Sequence, residues 1–289
     1  MSAIWGASFL SIHIALDDIV VATAVAHRVG WAALILWGNV ALRRLPLPRD
    51  LRIWGAFLVM GLLNNMIPFS LMAWGQLHIE TGLTSILNAA TAIFGVLVAA
   101  LLLAYERLTP RRAIGVALGF AGVTTTIGLE ALAGFDLRSL AQLAVLGGTL
   151  SYAVGAAWAR RTLGGLHPIV AAAGMRTGAA LTMVPAARVL DGPITLDLQP
   201  RTLAAIGYYA VIATALAYVL YYRVLGMVGS GNLMLCTLLI PPVAIVLGVV
   251  VLGETLNLSA YAGFALLAAG LMVLNGKGKR PLPKASPAR

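Results

Sequence analysis

The sequence predicts an all-α polytopic membrane protein, with ten transmembrane helices arranged as two inverted five-helix repeats. Three observations predict it. The 289 residues are 60% hydrophobic and 10% charged, with a mean hydropathy of +0.92, whereas a soluble domain is about a quarter charged. The apolar residues fall into long continuous runs without period-two alternation, which argues against a β-barrel. The chain also matches itself at an offset of 148 residues, the separation of Glu106 and Glu254. This composition excludes an ordinary soluble enzyme and a disordered chain. It also excludes a nucleic-acid module: the basic residues behind the formal net charge of +10 lie in short clusters between apolar runs. One cysteine, Cys236, leaves no intramolecular disulfide and no cysteine-based metal cluster.

A bilayer crossing takes roughly 17–25 apolar residues. The candidate runs are 1–16, 19–42, 53–77, 83–105, 113–129, 140–159, 169–189, 203–225, 233–252 and 258–274. Turn residues separate most of them: Pro46 and Pro48, Pro110, Gly134, Gly164 and Gly165, Gly192 and Pro193, and Gly229 to Gly231. The first run is short and has no basic leader, so it is expected to stay in the membrane. Trp5 and Gly6 already read as mid-helix residues, so a few native residues are expected ahead of Met1. The loop charges set the direction. With the first terminus inside, fifteen basic residues are cytoplasmic, including Arg43, Arg44, Arg107, Arg111, Arg112, Arg160 and Arg161, and three (Arg138, Arg188, Arg201) are outside. That bias places both termini in the cytoplasm. The basic tail 277–289 is expected to be disordered or held at an anionic leaflet.

The repeat divides the chain into 1–138, an N-terminal five-helix half, and 139–276, its C-terminal counterpart. At the 148-residue offset Arg28 meets Arg176, Gly30 meets Gly178, Gly115 meets Gly263 and Gly122 meets Gly270. Five is odd, so the second half enters the membrane upside down. Inverted repeats are typical of alternating-access transporters, with the substrate near the midplane between the halves. Duplication also builds channels and structural bundles, and those readings stay open at this level.

Several stretches carry a family resemblance. Ile86-Leu87-Asn88-Ala89, Leu101 to Glu106, Gly115 and Gly119-Phe120-Ala121-Gly122-Val123 resemble the fourth and fifth helices of the EamA type within the drug/metabolite transporter superfamily. Ala215 to Tyr218, Leu239-Ile240-Pro241-Pro242-Val243-Ala244, Leu252-Gly253-Glu254 and Gly263 to Gly270 resemble the matching second half. The resemblance implies a ten-helix exporter or exchanger of small metabolites in a bacterial inner membrane. It also implies a monomer holding both repeats, with no cofactor, no metal and no nucleic-acid partner. Trp5-Gly6, Pro68-Phe69-Ser70 and Ile86-Leu87-Asn88 are similar to the aromatic-amino-acid and methyl-viologen exporter branch. One departure stands out: Ala92 occupies the place of the family's proline in the fourth helix. The first half is therefore expected to lack a kink that Pro241 and Pro242 give the second.

Polar residues inside spans carry a default functional hypothesis, because an unpaired polar group in lipid is costly. Asn64 and Asn65 share a helical face with Gly61, Pro68 and Met72 and are candidate cavity residues. Asn88 stands in a similar stripe with Thr84, Ser85, Thr91 and Gly95. Interhelical hydrogen bonding is the competing explanation. Arg28 and Arg176 either line a vestibule and meet a carboxylate or gate the cycle, or they serve architecture through backbone carbonyls and headgroups. Trp5, Tyr152, Trp158 and Tyr218 are candidate stacking surfaces for an aromatic or cationic substrate. Tyr208, Tyr209 and Tyr222, nearer span ends, read as an interfacial belt. Glu106 and Glu254 close spans four and nine, and are expected to fix the hairpin to the next helix. The paired glycines read as packing residues. His13 and His27 are the only histidines well inside spans, and no Asp or Glu sits at mid-span. Facilitated diffusion or exchange is therefore expected, rather than proton antiport. An intramembrane enzyme lacks its carboxylate pair or metal motif here, and a channel lacks charged rings.

Overall fold

The computed structural model describes residues 1–76, 78–79, 81–103, 106, 108–133, 135–136, 139–243, 246 and 258–275. Glu254, the tail 277–289 and the side chains of His13 and Ser85 lie outside the described residues. All described secondary structure is helical. The α-helices are α1 (Ser2–Leu16), α2 (Val21–Leu42), α3 (Leu51–Gly61), α4 (Ile67–Gln76), α5 (Thr81–Ala89), α6 (Thr91–Leu102), α7 (Pro110–Ile127), α8 (Leu140–Thr162), α9 (Pro168–Leu190), α10 (Pro200–Gly207), α11 (Ala217–Val228), α12 (Ser230–Met234) and α13 (Leu258–Asn275). Five stretches are long and apolar enough to cross a membrane: Val21–Leu42, Leu51–Met72, Leu140–Thr162, Pro168–Leu190 and Pro200–Val228. Ile86–Leu102, Ser230–Val243 and Leu258–Leu274 are shorter apolar helices. Large side chains such as Leu34, Leu101, Leu181 and Met272 point outward, exposed, an apolar surface of the kind lipid covers.

Helix starts follow local chemistry. Asp50 accepts from Arg52 N at 2.8 Å and opens α3. Thr109 caps α7 ahead of Pro110, and His167 caps α9 ahead of Pro168. Proline at the first helical position gives up an N–H that has no partner there anyway.

Two long helices are interrupted by π-turns. Leu62–Met66 joins α3 to α4, and Tyr208–Leu216 joins α10 to α11. Pro68 has no N–H to offer the Asn64 carbonyl, which frees that turn to widen. At the 148-residue offset the first π-turn maps onto 210–214, inside the second. Widened turns of this kind recur at functional sites.

A second pair of interruptions corrects an expectation. Ala92 in place of proline predicts an unbroken fourth span, yet α5 stops at Ala89 and α6 starts at Thr91. Ala90 N bonds Leu87 O at 3.1 Å, a three-residue reach, and Thr91 Oγ1 donates to Asn88 O at 2.7 Å. In the second half a 3₁₀ turn, Leu235–Leu239, follows α12, and Thr237 Oγ1 donates to Met234 O at 2.7 Å. A threonine hydroxyl that bonds a carbonyl one turn back tightens the helix locally. It does so in both halves, and only the second adds Pro241.

Helices related by the offset pack against each other in opposite directions. α2 runs antiparallel to α9. Thr23 bonds Asp191 through its N–H (2.7 Å) and Oγ1 (2.8 Å), while Trp37 Nε1 bonds Thr177 Oγ1 at 2.7 Å toward the other end. α7 runs antiparallel to α13, with Gly115 against Gly270 and Gly122 against Gly263. A Cβ on any of these glycines would run into the partner helix, in most cases into its backbone. Such approach strengthens van der Waals contact where no hydrophobic effect operates between helices.

Candidate functional site

A cavity of about 280 Å³ lies among α1, α2, α4 with its π-turn, the α5–α6 break, α8, the second π-turn, α11 and the turn after α12. Trp5, Phe69, Tyr152, Tyr209, Tyr218 and Tyr221 supply aromatic walls. Arg28, Asn64, Asn88, Thr91 and Thr237 supply polar groups, and no Asp or Glu is among the described lining residues. The lining reaches Leu16 and Val21 at the α1–α2 connection. Tyr218 and Tyr221 form the wall toward a buried cluster that includes Tyr222, Leu225, Leu163 and Phe57.

The predicted residues separate into two groups. Trp5, Asn64, Asn88, Tyr152, Tyr218 and Arg28 line the cavity. Asn65, Trp158, Arg176 and Pro241 do not. Trp158 packs on the core and donates Nε1 to Ala56 O at 3.4 Å. Asn65 and Arg176 are both fully buried, and Arg176 Nη1 donates to Asn65 Oδ1. Pro241 is buried next to the lining residue Ile240. Adjacent residues on a helix of 3.6 residues per turn point about 100° apart, which turns Asn64 toward Tyr218 and Asn65 toward Arg176.

Tyr218 is the hub. Its hydroxyl donates to Asn64 Oδ1 at 2.8 Å. The Arg176 guanidinium sits over its ring, 3.8 Å from the centroid. Trp5 and Tyr221 lie 5.8 and 5.2 Å away, centroid to centroid. Arg28 has the equivalent place in the first half. Its Nε donates to Thr214 Oγ1 at 2.8 Å, and its guanidinium lies 4.9 Å from the centre of the Phe69 ring. Each arginine thus reaches across to the π-turn of the opposite half: Arg28 to Thr214, Arg176 to Asn65.

Tyr209 and Tyr222 correct the interfacial reading. Tyr209 is 1% exposed and faces the cavity, and Tyr222 is buried with its hydroxyl 3.5 Å from Met175 Sδ. The span holding Tyr209 begins at Pro200, earlier than its hydropathy suggests, so this tyrosine lies about 14 Å in. Thr214, Tyr221 and Phe69 also belong to the site; the run of tyrosines on this span was the available signal for Tyr221.

Glu106 is structural through an unexpected partner. Its buried carboxylate accepts from Ser230 N and Gly231 N, both at 2.8 Å, and from Ser230 Oγ at 3.3 Å. Among the described residues its partners lie at the start of α12 in the other half, and none lies on α7. Gly229, at φ 83°, makes the turn beneath it, where a Cβ would meet the carboxylate. Glu106→Gln keeps one acceptor and loses the charge-assisted pair. It is expected to lower stability by about 1.5–3 kcal/mol, read as a lower melting midpoint in detergent; an unchanged midpoint contradicts the assignment.

An apolar multi-pass helical chain that encloses a polar-lined aromatic cavity is built as a membrane transporter. The profile of the EamA-like transporter family matches residues 1–128 and 139–276, and the chain belongs to that family. It is a transporter and not an enzyme. It is 29% identical over 276 residues to a "Probable terminal-alkyne amino-acid exporter" of Streptantibioticus cattleyicolor, covering 94% of this chain and 89% of that one. It is 26% identical over 243 residues to the "Uncharacterized transporter YvbV" of Bacillus subtilis, covering 83% and 78%. A solved protein crystal structure shares the fold at a TM-score of 0.79 and 18% identity, covering 95% of this chain and 94% of that one.

Proposed function

We propose that the chain exports amino acids with large apolar side chains, aromatic ones foremost, by alternating access between two inverted five-helix halves, 1–138 and 139–276. The observation that carries this reading is the cavity: aromatic walls and a few polar groups, reaching the α1–α2 end and sealed behind Tyr218 and Tyr221. Basic-residue placement puts the α1–α2 end outside a bacterial inner membrane and both termini in the cytoplasm. This conformer then faces outward. The antiparallel packing of α2 on α9 and of α7 on α13 supports opposite insertion of the halves. The relative named "Probable terminal-alkyne amino-acid exporter" supports an amino-acid substrate with an apolar side chain. Aromatic preference rests on Trp5, Phe69, Tyr152 and Tyr209. Methyl viologen fits less well, because a dication would meet Arg28 with no carboxylate among the described lining residues. A single copy contains both halves, so the working unit is a monomer in lipid.

The test is counterflow in liposomes with a panel of amino acids and methyl viologen. Saturable exchange of phenylalanine, tyrosine or tryptophan is the expected result, and flux that neither saturates nor exchanges points to a channel. With no carboxylate among the described cavity residues, exchange is expected to persist when a proton ionophore is added at zero membrane potential. Collapse under the ionophore overturns the uncoupled mechanism.

A further inference from the structure

Arg28 is a buried cation with an unfilled job. It is 7% exposed, lines the cavity, and has only its Nε engaged by hydrogen bonding among the described residues, on Thr214 Oγ1 at 2.8 Å. No described carboxylate lines the cavity; the one ion pair among the described residues, Arg201 with Asp17, lies elsewhere on the exposed surface. A guanidinium held by Nε and backed by the Phe69 ring still has both terminal nitrogens, a fork that matches a carboxylate. The hydroxyls of Tyr209 and Tyr221, two lining residues, are enclosed without a hydrogen-bond partner among the described residues.

Arg176 is the same residue of the other half, in the opposite condition. It is fully buried and not part of the cavity wall. One nitrogen reaches Asn65, its face rests on Tyr218, and its Nε and Nη2 have no hydrogen-bond partner among the described residues. An unpaired cation so enclosed is costly, and a protein that keeps one is expected to use it in another state.

We propose that the two arginines are alternate anchors for the substrate's carboxylate. Arg28 holds it in this conformer. Arg176 takes the role when the halves exchange shapes, uncovering the second arginine as Tyr218 moves. The substrate class is then a monocarboxylate with an apolar side chain. Its carboxylate sits on the arginine fork, and its apolar part lies in the same cavity against the walls that include Trp5, Tyr152 and Tyr209. This inference rests on the amino-acid exporter reading above.

The experiment compares phenylalanine with phenylalaninamide, which keeps the ring and the amine but lacks the carboxylate. Binding is measured on purified wild type, Arg28→Lys, Arg28→Gln and Arg176→Gln, with exchange measured in liposomes. Wild type is expected to prefer phenylalanine by at least tenfold. Arg28→Gln should lose about tenfold to hundredfold of phenylalanine affinity, as loss of a charge-assisted bond predicts, and should keep or raise affinity for the amide, a cation that the guanidinium repels. Arg28→Lys keeps the charge without the fork and should retain part of the preference. Arg176→Gln should keep equilibrium affinity within about twofold while exchange falls tenfold or more. Wild type that binds both ligands equally overturns the carboxylate anchor and leaves the exporter reading standing. Wild type that binds and moves neither overturns the exporter reading itself. Arg176→Gln losing affinity as Arg28→Gln does overturns the alternation. Should Arg28→Gln not survive purification, the wild-type preference and Arg28→Lys decide the matter.

Discussion

Tyr218→Ala is expected to abolish exchange of every substrate and to lower the yield of folded protein. The ring is 6% exposed and meets Arg176, Trp5 and Tyr221 at once, and its hydroxyl satisfies Asn64. Removing a buried aromatic costs about 3–5 kcal/mol, and a desolvated cation–π contact adds about 2 kcal/mol. The Arg176 charge would also lose its covering. Tyr218→Phe keeps the ring and forfeits one hydrogen bond, about 1 kcal/mol, so it should fold and exchange substrate a few-fold more slowly. Tyr152→Ala behaves differently. Tyr152 lines the cavity with one edge contact to Phe69, 6.4 Å between ring centres, so its loss should reduce phenylalanine exchange more than threonine exchange. Counterflow of the two amino acids beside a melting curve separates the cases. A Tyr218→Ala protein that folds normally and loses aromatic substrates alone would make Tyr218 a specificity residue and not the hub described here.

From the sequence, Tyr218 and Tyr152 look alike: both are deep aromatics in apolar runs. The difference between them is tertiary. Hydropathy locates the helices, with apolar runs beginning at 53, 113 and 169, but the caps that fix the starts of α3, α7 and α9, Asp50, Thr109 and His167, stand ahead of those runs and are polar signals that hydropathy does not weigh. The 148-residue offset also singles out Arg28, Arg176 and the glycine pairs before any coordinates. What periodicity assumes is an unbroken 100° step per residue. Asn64 and Asn65 stand one such step apart, so a face drawn through both is already wide, and the π-turn at Leu62–Met66 shifts Pro68 and Met72 out of register with Gly61. At Tyr208–Leu216 no proline marks the turn, and nothing local announces it. The same limit hides Trp158, which meets Ala56 instead of the cavity, and Glu106, whose partners stand 124 and 125 positions away. Ala90 shows the opposite error: the break is present without proline, with Thr91 Oγ1 on Asn88 O and Ala90 N on Leu87 O.

Gly178 and Gly30 occupy one repeat position and are expected to answer the same substitution in opposite ways. A Cβ on Gly178 would stand 2.5 Å from Phe57 O, 2.8 Å from Leu58 Cα and 2.9 Å from Phe57 C, all backbone that cannot swing aside. Gly178→Ala must push α3 off α9, and overpacking of this kind costs about 1–3 kcal/mol or more. A Cβ on Gly30 meets nothing within 4 Å. Gly30→Ala gains the advantage of alanine over glycine in a helix, about 0.5–1 kcal/mol, and should raise the melting midpoint. The contrast has a functional edge. If the halves exchange shapes, α2 closes on the Pro200–Val228 span as α3 closes on α9 here, and the added methyl at position 30 stands in that closure. Gly30→Ala is then expected to bind phenylalanine as wild type does, melt higher and exchange substrate more slowly. A variant that melts higher and exchanges at the wild-type rate would mean that the α2 surface around Gly30 stays open throughout the cycle, and that the two halves do not trade places.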